Sequence, residues 1–139
     1  MRRVVVTGTG VVSALGIGYD AHVAELRAGR SGIGPIELID TDGLTIPIAA
    51  EARGYVGTDH FTRNELSLRD RVTQMALTAT REAVQRSGID FTDALGMRTA
   101  TIIGTSMGGQ HTQDDNYRLI YRDNKPRVHP FTVPKLMAN

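Results

Sequence analysis

The sequence predicts an α/β protein with a parallel sheet. Two runs rich in β-branched residues, 2–7 and 99–104, each lead into a glycine turn. Between them lie two segments whose apolar residues recur at helical spacing. Strand, helix, helix and strand in that order is the arrangement of α/β units with a parallel sheet.

Two helices are predicted between these strands. The first covers residues 19–28, with Asp20 near its start and Gly29 past its end. The second runs from Leu68 to Val84 and is terminated by Gly88. It has the most regular apolar spacing in the chain.

The remaining segments have weaker patterns. Residues 31–62 are rich in glycine and small residues, which predicts an irregular excursion or a small hairpin with a short strand at 44–50. From Asn124 the prolines predict an extended loop, and residues 135–138 then begin a helix. We find no internal repeat and no linker.

Composition excludes several classes of function. The 139 residues suit one domain, and a formal net charge of +1 gives no electrostatic reason to expect nucleic-acid or anionic-membrane binding. No segment has the apolar length of a membrane span, and the first residues do not resemble a signal peptide, so a cytoplasmic protein is expected. The chain has no cysteine, which excludes a disulfide, a cysteine-ligated zinc ion or a cysteine nucleophile within these residues.

A glycine turn follows the first predicted strand. Gly8, Gly10 and Ser13 form a G-x-G-x-x-S pattern close to the dinucleotide fingerprint. The third glycine is missing, and the helix begins only near Tyr19, too far away for its N-terminal amides to meet a phosphate. The alternative is that these glycines let the loop pass close to a neighbouring strand.

A second glycine turn suggests a serine hydrolase. Residues 104–108 match G-x-S-x-G, the turn that exposes a nucleophilic serine, here Ser106. Such an enzyme needs an acid and a histidine on later strands, and the short segment after Ser106, although it holds His111 and His129, leaves no room for them. The structural alternative is a turn whose Met107 packs in an apolar site.

Charged residues give no metal site. The histidines are not in the spacing of a helical zinc site, although His111 and Asp115 would share a face if that stretch is helical. Basic residues cluster at two places, and each cluster is either a solvated surface or a receiver for an acidic partner. They are Arg63, Arg69 and Arg71, and Lys125 with Arg127.

An ordered set of motifs resembles one family. They are residues 2–16 (RRVVVTGTGVVSALG), 29–33 (GRSGI), 103–109 (IGTSMGG) and 129–134 (HPFTVP). In this order and spacing they resemble the β-ketoacyl-acyl-carrier-protein synthases, the elongating condensing enzymes of types I and II. The resemblance covers essentially the whole chain, which we take as one N-terminal β-ketoacyl synthase domain, residues 1–139.

The resemblance implies the thiolase-like fold, of which this α/β chain is the first half, and a homodimer. It implies decarboxylative condensation of an acyl thioester with malonyl-carrier protein, in fatty-acid or polyketide synthesis, with no organic cofactor. The family's nucleophilic cysteine and two histidines are expected beyond Asn139. No catalytic residue is therefore predicted here, and the isolated chain should be inactive.

The resemblance also implies binding residues. Met107 and Gly108 are expected to line the acyl tunnel, with Met107 as a gate, while Thr132 and Met137 belong to the segment that reaches the partner subunit's tunnel. Thr132 stands where many relatives have a bulky aromatic. Acyl carrier protein is the expected partner. Its docking residues are expected among Arg63, Arg69, Lys125 and Arg127.

One alternative within the resemblance remains open. A non-catalytic homologue that acts as a chain-length partner or interaction module would keep the same fold and dimer surface. It would lack only the nucleophile. The residue at the cysteine position would separate this module from the enzyme.

Overall fold

The computed structural model describes residues 3–137. These residues form two compact units. The first contains residues 3–56 and 76–89, and the second contains 57–75 and 90–137. Each unit is described separately below.

The first unit contains two small antiparallel sheets and a helix. Strands β1 (Val12–Ser13) and β2 (Gly16–Ile17) form a tight hairpin, which leads into helix α1 (Tyr19–Arg27). Strands β3 (Ile33–Pro35) and β4 (Ile48–Ala50) pair with Gly34 opposite Ala49. The prediction for α1 is confirmed to within one residue, and the predicted small hairpin is present with its second strand inside residues 44–50.

Helix α3 (Arg71–Ser87) contributes its later turns to this unit. Gly8 and Gly10 lie directly against it, because a Cβ on either residue would overlap a backbone carbonyl oxygen, that of Ala83 for Gly8 and that of Ala79 for Gly10. The glycines thus serve close packing, as the structural alternative predicted. The neighbour is a helix, however, and not the strand we expected.

Glu82 of α3 supplies the missing cap of α1. The residue before α1 is Gly18, which has no side chain to accept a hydrogen bond. The Glu82 carboxylate instead accepts from the Tyr19 backbone nitrogen at 2.6 Å and from the Val11 nitrogen at 3.0 Å. A negative group at a helix N-terminus is also favoured by the helix dipole.

The second unit is mainly helical. Helix α2 (Arg63–Leu68) begins with a capping box between Thr62 and Glu65. This unit also contains three further helices, a 3₁₀ turn that precedes α2 and a π-helical segment that follows α5. They are α4 (Asp93–Gly96), α5 (Gln110–Tyr117) and α6 (Thr132–Leu136), the 3₁₀ turn Gly57–Asp59 and the π-helical segment Arg118–Arg122.

Asp70 separates α2 from α3. Its Oδ1 accepts a hydrogen bond from the Val72 nitrogen at 3.0 Å, which caps the first turn of α3. The predicted start of the long helix at Leu68 is therefore wrong, because Leu68 ends α2 and Arg69 is extended. Apolar periodicity continues across this break, so spacing alone does not reveal it.

The two predicted strands are not formed in the described residues. Residues 3–7 and 99–104 have no strand, and Arg2 lies outside the described part of the chain. Val4 is 95% exposed and Ile102 is 92% exposed. The strands within residues 3–137 all pair antiparallel, so the expected parallel sheet is absent there. β-branched residues suit a buried strand, but a ladder also requires a neighbouring strand, which composition does not supply.

The C-terminal segment partly follows the prediction. Residues 124–131 contain no helix or strand, as expected, but α6 begins at Thr132, before the predicted start at Lys135. Pro134 is tolerated because it lies in the first turn, where its missing N–H has no helical partner. Ala138 lies outside the described residues.

Buried side chains are few. Tyr55 and Phe61 are the buried apolar residues in the described part of the chain, and Asp70 and Thr112 are the buried polar ones. No helix within residues 3–137 has the length and apolar character needed to cross a membrane.

Candidate functional site

A backbone contact joins two segments that the sequence analysis assigned to acyl-chain binding. The Gly109 N–H donates to the Leu136 carbonyl at 3.0 Å. Gly109 is buried and packs so closely that a Cβ there would stand 2.6 Å from the Leu136 Cα. The turn that carries Met107 and the end of α6, next to Met137, are therefore held together.

The turn before α5 has a defined geometry. Gly108 adopts a φ of +58°, which favours glycine, and its nitrogen donates to the Thr105 hydroxyl at 3.1 Å. The Gln110 nitrogen in turn donates to the Gly108 carbonyl at 3.0 Å. The backbone on both sides of Met107 is thus fixed by local hydrogen bonds.

The site presents apolar side chains at its surface. Met107 is 67% exposed and Met137 is 52% exposed, and Phe131 and Val133 are exposed as well. The expectation that Met107 packs in an apolar site is therefore wrong in this chain. Thr132 is half-buried, and its hydroxyl donates to the His129 carbonyl at 2.7 Å. Exposed apolar side chains of this kind suit contact with an apolar ligand, and a methionine adapts to the ligand's shape.

The histidines that follow Ser106 are engaged elsewhere. His111 Nε2 lies 3.6 Å from the Asp115 carboxylate, which confirms that the two share a helix face. His129 Nδ1 accepts from the Phe131 nitrogen at 3.2 Å. Neither contact gives Ser106 a general base, so the hydrolase interpretation gains no support.

The predicted docking residues differ in their surroundings. Arg63 is exposed on the first turn of α2, and Lys125 and Arg127 are exposed in the loop before α6. The Arg69 guanidinium lies 3.3 Å from the Glu65 carboxylate and above the Phe61 ring, 5.4 Å from its centroid. The Arg69 guanidinium therefore already contacts two residues of its own unit.

The first unit contains a cavity of about 260 Å³. It lies between the β1–β2 hairpin and residues 31–33, and Glu51 and Arg53 form part of its wall. Ser13 in the wall hydrogen-bonds His22 Nδ1, with 2.8 Å between the two atoms. Sequence reasoning did not predict this cavity, because its residues come from separate stretches of the chain.

Glu51 and Arg53 neutralise each other in that wall. The Glu37 N–H donates to Glu51 at 2.8 Å and keeps the pKa of this carboxyl below its ordinary value, with the Leu38 N–H and the Arg53 side chain acting in the same direction against a partial burial effect. Arg53 Nε lies 3.3 Å from the Glu51 carboxylate, and Arg53 also donates to the Pro35 carbonyl. Within residues 3–137 we find no group of three acidic, histidine or cysteine side chains placed to hold a metal ion.

The whole chain matches one family model. The model is that of the β-ketoacyl synthase N-terminal domain, and the match runs over residues 1–139. The chain belongs to the β-ketoacyl synthase family. The resemblance stated from the motifs is therefore confirmed.

Curated relatives agree with this assignment. The chain is 33% identical to the 3-oxoacyl-(acyl-carrier-protein) synthase 2 of Staphylococcus aureus strain N315, over 99% of this chain and 33% of that protein. It is 31% identical to the synthase of the same name from Coxiella burnetii strain RSA 493, with the same coverage. This β-ketoacyl synthase chain thus spans about a third of the length of these relatives.

A solved structure supports the fold. The ishigamide ketosynthase/chain length factor superposes with a TM-score of 0.75 and 27% identity, covering 95% of this chain and 33% of that one. The chain thus has the thiolase-like fold of the family, in its N-terminal half. This structural likeness confirms the fold class predicted from the sequence, although the parallel sheet is not formed in the described residues.

Sequence reasoning identified one side of the candidate site better than the other. The motif at residues 103–109 contains both Met107 and Gly109, so the turn was visible in the sequence. Leu136 was not predicted as a site residue, because it contributes only its backbone carbonyl. Its apolar side chain does not indicate that the carbonyl makes this contact. Only a three-dimensional structure reveals such a contact.

Proposed function

We propose that this chain is the first part of a condensing enzyme. The enzyme joins an acyl thioester to malonyl-carrier protein and releases carbon dioxide. Family membership supports the condensing chemistry. The observation that carries the proposal for this chain is the Gly109–Leu136 contact, because it joins the turn that the resemblance assigns to this subunit's acyl tunnel to the segment that it assigns to the partner subunit's tunnel. Since residues 1–139 hold no cysteine, the proposal assigns the nucleophile to another part of the protein.

In this proposal Met107 lines this subunit's acyl tunnel, and Met137 lines the tunnel of the partner subunit. Both side chains are exposed and apolar in the chain as it stands. An acyl group that packs against either methionine removes apolar surface of the acyl group and of the protein from water. This stabilises the complex by roughly 25 cal/mol for each Å² buried.

The first test replaces Met107 by a bulkier side chain in the complete enzyme, as its source produces it. Met107→Trp is expected to lower kcat/KM for long acyl thioesters at least about tenfold more than for short ones, since pocket volume is worth this much per methylene or two. Condensation is followed by acyl-dependent release of carbon dioxide from malonyl-carrier protein. Met97→Trp is the control, because Met97 is 88% exposed in a different loop. Equal effects on all chain lengths would contradict the role of Met107.

Thr132 is proposed to widen the partner subunit's tunnel, which its segment reaches. It is smaller than the aromatic that many relatives have, so Thr132→Phe should shift acyl-length preference toward shorter chains. Thr132→Val is the matched control, since it removes the hydroxyl that donates to His129 but keeps the volume. An unchanged preference in Thr132→Phe would refute this proposal.

We further propose that an acyl carrier protein docks on the exposed cations. The curated relatives are named for this carrier. Arg63, Lys125 and Arg127 are exposed, whereas Arg69 is held by Glu65 and Phe61. Charge reversal of Arg63, or of Lys125 and Arg127 together, should raise KM for the carrier-bound substrate and weaken its salt dependence. Arg98→Glu, an exposed cation beyond α4, is the control.

A second candidate function is a chain-length partner without its own nucleophile. A solved ketosynthase/chain length factor has the same fold, so this candidate is kept beside the enzyme. The intact mass and full sequence of the source protein decide between the two candidates. A cysteine at the family's nucleophile position, together with condensation by the purified protein, supports the enzyme. Another residue there, with activity only after a ketosynthase is added, supports the partner. A homodimer is proposed for the enzyme and a heterodimer for the partner.

A further inference from the structure

One buried carboxylate serves the first turns of two helices in the second unit. Asp70 immediately precedes α3, and its Oδ1 accepts a hydrogen bond from the Val72 N–H at 3.0 Å. Its Oδ2 accepts from the Thr112 N–H at 2.7 Å and from the Thr112 hydroxyl at 2.6 Å. Because Thr112 belongs to the first turn of α5, Asp70 contacts the N-terminal ends of both helices.

Asp70 supplies a cap that α5 lacks in its own sequence. The residue before α5 is Gly109, which has no side chain to accept from the N–H groups of the first turn. The Asp70 carboxylate accepts from one of those groups, and its negative charge lies where the dipoles of both helices favour it. A buried carboxylate is costly unless such hydrogen bonds satisfy it. Since Asp70 is only 2% exposed, its bonds to Thr112 fix the start of α5 relative to the start of α3.

A short segment with little freedom joins the start of α5 to Met107. Met107 lies five residues before Thr112. Between them, the Gln110 N–H donates to the Gly108 carbonyl at 3.0 Å, so the backbone turns tightly before the helix begins. A displacement of Thr112 therefore moves the backbone that carries the Met107 side chain.

Two contacts hold this segment. The Gly109 N–H donates to the Leu136 carbonyl at 3.0 Å, and this contact involves the main chain alone. The contact between Asp70 and Thr112 depends on a side chain, so a substitution removes it without altering the main chain. Without the Asp70 carboxylate, the Leu136 contact is a point about which the segment can turn.

We propose that Asp70 is a positioning residue, which holds Met107 in place along the acyl tunnel of its own subunit and thereby contributes to acyl-length selectivity. This inference rests on the proposed function, in which Met107 lines that tunnel. Asp70 is buried and does not contact the acyl chain itself. It acts through Thr112 and the backbone at the start of α5.

The test compares acyl-length selectivity in the complete enzyme, as its source produces it. Asp70→Asn keeps the shape of the side chain but leaves either the Thr112 or the Val72 N–H without its acceptor. It is expected to lower the ratio of kcat/KM between the best acyl thioester and one four carbons shorter by about tenfold, because a displacement of about 1 Å is enough to disturb a fitted site. A fold defect alone would lower kcat/KM equally for both substrates. An unchanged ratio in a folded Asp70→Asn enzyme overturns the proposal.

Glu82→Gln is the matched control. Glu82 is also a carboxylate that accepts from two backbone N–H groups, those of Val11 and of Tyr19 at the start of α1. It lies in the first unit, so its loss weakens the fold without removing a contact of α5. Glu82→Gln should lower the free energy of unfolding, as Asp70→Asn does, but leave the ratio unchanged. An equal change of the ratio in both variants would assign it to lost stability and overturn the proposal.

Two milder variants cover the case in which Asp70→Asn does not fold. Thr112→Val removes the hydroxyl donor with little change of shape and keeps the backbone N–H. It should lower the same ratio by about threefold, since the loss of one hydrogen bond of this kind is worth roughly that factor. Thr112→Ser keeps both donors and should have the wild-type ratio. Equal ratios in Thr112→Val and Thr112→Ser overturn the proposal.

Hydrogen exchange separates this inference from the proposed function. The Thr112 amide should exchange slowly in the wild-type protein, whatever reaction the protein catalyses. Rapid exchange at Thr112 in an active enzyme would refute the positioning role alone. Slow exchange in a protein that shows no condensation would refute the proposed function, and the selectivity proposal would fall with it, while the contact between Asp70 and Thr112 would stand.

Discussion

The Asp70 carboxylate binds Thr112 through two hydrogen bonds: Oδ2 lies 2.6 Å from the Thr112 hydroxyl oxygen and 2.7 Å from its backbone nitrogen. Asp70 also caps α3 through Val72. Both Asp70 and Thr112 are buried, at 2% and 5% exposure. The Asp70 side chain thus links the start of α3 to the first turn of α5.

Asp70→Asn should destabilise the protein by about 2 kcal/mol. The amide group replaces one acceptor oxygen by a donor, so either the Thr112 donors or the Val72 N–H lose their partner, and hydrogen bonds to a charged group are worth about this much. Urea denaturation of the protein, as its source produces it, measures the change. Asp123→Asn, an exposed site in the same unit, should change stability by less than about 0.5 kcal/mol. Equal stability of the two variants would contradict the role of Asp70.

Ionisation of Asp70 should make the stability of the fold depend on pH. Burial by itself would raise the pKa of this carboxyl, but hydrogen bonds from the Thr112 hydroxyl, the Val72 N–H and the Thr112 N–H outweigh it and hold the pKa below the ordinary 3.8. A carboxyl with a lowered folded pKa binds its proton more readily when unfolded, so it stabilises the fold above pH 3.8 and loses that contribution as the pH falls through the folded pKa. Below pH 4 the wild type should lose stability more steeply than Asp70→Asn. Parallel pH profiles for the two proteins would show that Asp70 is not responsible.

Gly8→Ala and Gly10→Ala should each destabilise the protein by about 1–3 kcal/mol. The added methyl group would overlap the carbonyl of Ala83 or Ala79 in α3, and overpacking against backbone has costs of this size. Gly96→Ala is the control, since it adds a methyl group into open space. Thermal unfolding checks the prediction. A variant at position 10 as stable as the control would mean that the segment around Gly10 packs less closely on α3 than described.

Glu82→Gln should weaken the start of α1 by about 1 kcal/mol. It exchanges one carboxylate oxygen for an amide group, so either Tyr19 or Val11 loses its acceptor, and the favourable charge at the helix N-terminus disappears. Faster hydrogen exchange of the Tyr19 amide is the direct measurement. Glu25→Gln within α1 alters only an exposed ion pair with Arg30 and should leave that exchange unchanged.

The isolated 139-residue chain should associate in solution. Val4 and Ile102 are almost fully exposed in segments that have the composition of buried strands, and such segments pair with other chains. Val4→Lys combined with Ile102→Lys should lower the associated fraction in sedimentation velocity. Thr58→Lys adds charge at an exposed polar site and should have a smaller effect. A wild-type chain that is monomeric and melts cooperatively would contradict this expectation.

Particular residues show why some features were predictable. Tyr19, Val23 and Leu26 repeat at helical spacing between clear start and stop residues, so α1 could be located to within one residue. The start of α3 could not, because Leu68 fits the same spacing and spacing does not show that Asp70 caps α3 through Val72. The turn at Met107 was visible as a motif, whereas its neighbour α6 begins at a threonine with no cap signal in the sequence.

The sequence by itself determined the family, the thiolase-like fold of an N-terminal half and the absence of a cysteine nucleophile in these residues. The family and its fold come from the resemblance of an ordered set of motifs to known relatives, and the missing cysteine comes from composition. Both are properties of the linear sequence alone. The tertiary structure decided that Gly8 and Gly10 pack on α3, that Glu82 caps α1, and that Gly109 binds Leu136. Each depends on backbone atoms from distant segments coming within a few ångströms, and no residue pattern encodes that distance.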